Sequence, residues 1–224
     1  MATKAKNQEA ELKENIEVTV SKTDKFYNEN KKTIWGVLIA ILVIGLGVLA
    51  YGKFIYTPKC EEAMAAAYPA EMNFQKGEYE LALNGDGNVP GFAQIIEDYG
   101  TKSGKAVYLY AGICELQLGN FEGAIDYLGK YNAKDPILAA RAKACQGDAY
   151  VGLEKYDEAV KCFEAAAATA DNTFAAAYLL KAGLTYEKLG NKANALAAYK
   201  KIKDNYPQSL EAYEIDRYIS AVEE

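Results

Sequence analysis

Three stretches of this chain superpose when shifted by 35 and 36 residues: L-G-N-F-E-G-A-I-D-Y-L from Leu118, L-E-K-Y-D-E-A-V-K-C-F from Leu153 and L-G-N-K-A-N-A-L-A-A-Y from Leu189. Nothing else in the sequence narrows the fold as far. A period of this length is one supersecondary unit that cannot bury its apolar face alone and must stack on neighbours. Apolar residues recur at helical spacing on both sides of a short turn, so each unit reads as a helical hairpin. Stacked hairpins make an all-α solenoid whose repeats touch only their neighbours.

The residue types fit close helix packing, with glycine and alanine where two helices approach and large side chains filling the space left. The first copy supplies Gly112, Gly119, Phe121, Ala124, Leu128 and Pro136. The second has Gly147, Tyr150, Tyr156, Ala159, Phe163 and Ala166, and the third Gly183, Tyr186, Gly190, Ala195, Tyr199 and Pro207. This pattern resembles the tetratricopeptide repeat over residues 105–209. Glu115, Glu154, Asp171 and Lys192 depart from it, at a first-helix aromatic, a turn glycine, a closing proline and a turn aromatic. The aromatic stripe is expected to be core, and no cofactor is implied.

Both ends of the array are atypical. Residues 57–104 hold a degenerate hairpin: K-G-E-Y-E-L-A-L carries the turn pattern, but N-G-D-G-N-V-P-G breaks the second helix before Phe92. Asp86 in that loop lacks the spaced acids and final glutamate of a calcium loop, so a surface loop is expected. Residues 210–224 read as a capping helix with Leu210, Tyr213, Ile215, Tyr218 and Ile219 on one face.

Ahead of the hairpins, Thr33 to Gly52 is an uncharged run between lysines. Twenty helical residues span roughly 30 Å, the thickness of a bilayer's hydrocarbon core. An uncleaved anchor, a cleaved leader and a soluble core helix are all open to such a run. A leader needs a compact basic start, whereas 32 residues bearing Glu9, Glu11, Glu14, Glu17, Asp24 and Glu29 precede this one. The expectation is therefore a poorly ordered charged arm, 1–32, and a transmembrane helix, 33–56. Lys22, Lys25, Lys31 and Lys32 before the span outnumber Lys53 and Lys59 after it, which keeps the N-terminus cytoplasmic and exports the hairpins.

Composition then removes function classes. The chain has no histidine, and with it go the usual general base, the usual zinc ligand and every Ser-His or Cys-His nucleophile pair. Cys60, Cys114, Cys145 and Cys162 form no C-x-x-C pair; the last three are expected to pack as small apolar residues, and Cys60 to start a helix. A net charge of −6 without a basic stripe argues against nucleic acid. A non-catalytic interaction protein is expected.

A short arm with F-Y-N-E-N-K before one anchor, followed by an exported tetratricopeptide domain, resembles the ancillary Sec-translocon subunit family of bacterial inner membranes. It is also similar to uncharacterised tetratricopeptide proteins of Bacteroidetes. The resemblance implies a membrane-tethered scaffold in the periplasm that meets translocon subunits, chaperones or exported chains; a structural subunit of an envelope complex is the alternative, and an enzyme or transport component with an unrecognised site a remote one. It also implies a groove lined by the first helix of each repeat: Leu109, Ile113 and Leu116; Arg141, Ala144 and Asp148; and Leu180, Leu184, Glu187 and Lys188. Leu109 and Ile113 stand where a carboxylate clamp needs Lys and Asn, so an apolar peptide or amphipathic helix suits the groove better.

Overall fold

The computed structural model describes residues 2–132, 134–170 and 172–223, with side chains from residue 25 onward; Asp171, at the position of a closing proline, lies outside them. Among the described residues there is no strand, only an isolated bridge between Gly85 and Pro90. The chain divides into two units, residues 1–57 and 58–224.

The first unit is one long helix, α1 (Ala2–Tyr51), running into a π-helical turn, Gly52–Tyr56. Helical backbone starts at Ala2, within the arm expected to be poorly ordered; lysine and glutamate, both good helix formers, are the commonest residues there. One helix here is long and apolar enough to cross a membrane, and the residues of its apolar window are exposed. At the π turn, Thr57 N–H bonds to the Gly52 carbonyl, which also accepts from Thr57 Oγ1 at 3.0 Å. Pro58, with no N–H to donate, follows directly.

The second unit is a stack of hairpins: α2 (Thr57–Gln75), α3 (Tyr79–Asn84), α4 (Phe92–Tyr99), α5 (Lys105–Gln117), α6 (Phe121–Lys130), α7 (Pro136–Gly152), α8 (Tyr156–Ala170), α9 (Thr173–Lys188), α10 (Lys192–Asn205) and α11 (Ile215–Glu223). From α5 to α11 each helix packs on the next. One turn geometry recurs four times, at Gly77, Gly119, Glu154 and Gly190, with φ of 80, 81, 58 and 69°. Each closes with the same pair of hydrogen bonds, as when Gly119 N–H bonds to Leu116 O at 3.2 Å and Asn120 N–H to Glu115 O at 2.8 Å. Glu154, the departure from the turn glycine, holds the glycine's left-handed conformation.

Inside each hairpin the first helix presents a glycine to a large residue of the second. A Cβ added at Gly112 would lie 2.5 Å from Leu128, at Gly147 2.5 Å from Phe163, and at Gly183 2.2 Å from Tyr199. All three partners are buried. The Tyr199 hydroxyl donates to the Glu187 carboxylate, which gives the buried phenol its hydrogen bond.

The first hairpin keeps the same plan with an interruption. Gly85 to Gly91 bulges out between α3 and α4, and both helices pack with α2 and α5 around Phe92, Ile95, Ala67 and Cys114. Gly91 fits because its absent Cβ would lie 2.3 Å from the Leu83 carbonyl oxygen. Asp86 Oδ1 accepts from Asn88 and Val89 N–H at 2.9 and 2.7 Å, and these bonds hold its carboxyl below the usual range.

At the other end, buried Ser209 caps a 3-10 turn, Glu211–Tyr213, and α11 lays Ile215, Ile219 and Val222 on the last core cluster. The single helix expected over 210–224 is thus a turn plus a shorter helix. Leu210 and Tyr213, expected on its inner face, are exposed.

Candidate functional site

Two helix starts build a largely apolar recess on the surface of the repeats. Pro136 opens α7 with its φ already suited to a helix, and Asp135 Oδ1 accepts from Leu138 N–H at 2.8 Å. Asn172 does the same for α9, accepting from Phe174 N–H at 3.0 Å. These caps fix the first turns, and the first turns carry Ile137, Leu138 and Phe174, all exposed.

Between them lies a recess of about 350 Å³ floored by Ala144 and Cys145. Lys181 of α9 crosses to Asp148 of α7, its Nζ at 2.6 and 2.7 Å from the two carboxylate oxygens and 5.7 Å from the Phe163 ring centre. Both side chains are part-exposed, so the pair contributes at most about 1 kcal/mol; what it does is tie the first helices of adjacent repeats together. Arg141 reaches over the floor beside Cys145 and Tyr178, and no acid among the described residues pairs with it. Desolvation pushes the Cys145 thiol and the Tyr178 phenol up, and Asp148 adds to both.

The residues read from sequence as a groove scatter over this framework. Arg141, Ala144 and Asp148 do line the recess. Leu109 and Ile113 do not: at 2% and 7% exposure they belong to a core cluster with Leu128, Ala142 and Ala149, and Leu116 packs against it. They are buried because α6 and α7 cover that side of α5, and this corrects the sequence reading. Leu180 leans on the last cluster, Glu187 accepts from Tyr199, and Leu184 and Lys188 are exposed outside the recess. Ile137, Leu138, Cys145, Phe174, Tyr178 and Lys181 went unseen, although Cys145 and Lys181 both stand two residues before the packing glycines Gly147 and Gly183, a register visible in the sequence.

Of the thiols expected to be packing residues, Cys114 is fully buried and desolvation pushes it up to about 12, while Cys145 and Cys162 are only partly covered. No cluster of metal-ligating side chains occurs among the described residues.

Residues 106–136 and residues 146–209 match profiles described as tetratricopeptide repeat. Two crystal structures of MamA share the fold. One superposes with a TM-score of 0.52 at 21% identity, over 68% of this chain and 91% of that one. The other gives 0.53 and 22%, over 73% and 86%. Comparison with curated proteins gave no match. The helical solenoid of tetratricopeptide repeats expected from the sequence is therefore the fold, and such repeats mediate protein–protein contact.

Proposed function

We propose that this chain is a non-catalytic scaffold tethered to a bacterial inner membrane by α1, with its N-terminus cytoplasmic and its hairpins in the periplasm. There it holds a segment of another protein in the recess between α7 and α9. One observation supports this most: three apolar side chains at capped helix starts stay exposed around a recess lined by a cation, Arg141, with no acid partner among the described residues. An exposed apolar patch in a folded domain marks a contact site. The segment that fits is apolar with a carboxylate for Arg141, supplied by a chain leaving the Sec translocon, a chaperone or an envelope subunit.

The test places a photo-crosslinking amino acid at Phe174 in the full-length protein in its native membrane. Crosslinks to translocon subunits or newly exported chains are expected, and they should vanish in an Ile137→Glu, Arg141→Glu variant whose melting temperature stays within about 3 °C of wild type. A single stoichiometric envelope subunit would move the reading to assembly. No crosslink above background would overturn the recess as a contact site. Protease added outside spheroplasts should digest the hairpins and spare the arm; the reverse pattern would overturn the topology.

A further inference from the structure

The exposed apolar residues of the recess belong to a line that continues past it. Leu138 of α7 and Phe174 of α9 stand 36 residues apart, the repeat period, and the next step of that period falls on Leu210. All three are exposed, at 38, 56 and 82%. One position row further along, the same register runs Arg141, Ala177 and Tyr213, the last at 81% exposure. Leu210 and Tyr213 are more exposed than any large apolar side chain of α1, although they bracket a 3-10 turn that packs on α9 and α10.

Both ends of the line are defined. One repeat before Leu138 the register holds Ser103, which is buried and donates to Gly100 O at 2.7 Å, so the line starts at α7. Beyond the turn, α11 directs Asp216, Arg217, Ser220 and Glu223 outward, the polar face an array needs where stacking stops. The line therefore crosses the helix starts instead of following one helix. At the usual spacing of neighbouring helices, about 10 Å per step, it is roughly 20 Å long, which about six residues of extended chain would cover. A helix is about 10–12 Å across with its side chains, too wide for a recess of about 350 Å³.

Charge differs between the two ends. Arg141 at the α7 end has no acid partner among the described residues, and Lys181, the other cation of the recess, is held by Asp148. At the turn, Glu211 has no cation partner among the described residues, while Glu214 pairs with Arg217 at 3.0 Å. A carboxylate is thus attracted at α7 and repelled at the turn. We propose, resting on the recess as the contact site, that its occupant is an extended internal segment of another protein. The segment crosses α7, α9 and the 3-10 turn with an acidic side chain at Arg141 and apolar side chains on Phe174, Leu210 and Tyr213. One free guanidinium suits a side-chain carboxylate of a passing chain.

The probe is an acetylated and amidated octapeptide in which one glutamate, first or last, joins alternating leucine and serine. Calorimetry measures its binding to the full chain in lipid nanodiscs, with empty discs as the blank. At least one of the two orders should bind. Leu210→Glu and Tyr213→Glu should each weaken it by about tenfold at an unchanged melting temperature, and Arg141→Gln should remove the preference for glutamate over glutamine in the peptide. Proline in place of the middle serine, which a helix interior does not tolerate, should leave the affinity within about threefold. No octapeptide binding, a glutamate preference that survives Arg141→Gln, or loss of binding with proline would overturn the inference. Turn variants that bind as wild type while Ile137→Glu does not would overturn the line and keep the recess.

Discussion

Glu154 shows how little local latitude the repeat turn has. Its φ of 58° lies where a side chain crowds the following carbonyl, and the other three turns place glycine there. The turn bonds are intact, with Glu154 N–H to Val151 O at 2.9 Å and Lys155 N–H to Tyr150 O at 2.8 Å, so the strain sits in one residue. Glu154→Gly should therefore stabilise the protein by about 1 kcal/mol, the left-handed cost less the extra unfolded-state freedom of glycine. A urea midpoint equal to or below wild type would show that the turn is not strained. The glycines opposite Leu128, Phe163 and Tyr199 were legible because their partners recur at a fixed interval. Glu154 was legible only as a mismatch; its backbone conformation was not.

At the level of elements, the hairpins were readable because period and turn agreed, and the groove was not, because stacking decides which face of a first helix stays open. Leu109 and Ala144 hold equivalent repeat positions and both are buried in core clusters, yet only the alanine also lies under a recess. Spacing along one helix cannot tell these apart; the side chains on the next helix do. The inserted loop between α3 and α4 was visible as a break, but not as a closed bulge that lets both half-helices join one cluster. Closure depends on Gly91, whose added Cβ would meet the Leu83 carbonyl oxygen and the Gly85 nitrogen at 2.3 and 2.4 Å. Both are backbone atoms that cannot rotate away, so Gly91→Ala should destabilise by about 2 kcal/mol or more. A thermal melt within a degree or so of wild type would mean the loop opens at no cost.

Across the whole second unit, stability should respond to alkali. Cys114 in the first cluster is pushed up to about 12 from an ordinary 9.0, and Tyr186 near the last to about 12 from 10.0, both mainly by desolvation; Tyr199 is raised further, by desolvation and then by its bond to Glu187. A raised value means that the folded chain keeps its proton to higher pH than the unfolded chain. The stabilisation is complete below the unfolded values and declines as pH rises from about 9 toward 12. The denaturant midpoint should be level between about pH 7 and 8.5 and lower at about pH 10. A midpoint that rose over that interval would contradict the burial of these groups.

The polar outer surface of α11 has a further consequence for assembly. A stack that offers the same apolar face at both ends has a valence of two, and such units add without limit into filaments. Here the outward residues of α11 are polar, so that helix offers no continuous apolar face on which a further hairpin could stack. An array finished this way at one end does not grow into a filament by end-to-end stacking of its hairpins, whatever the local concentration on a membrane.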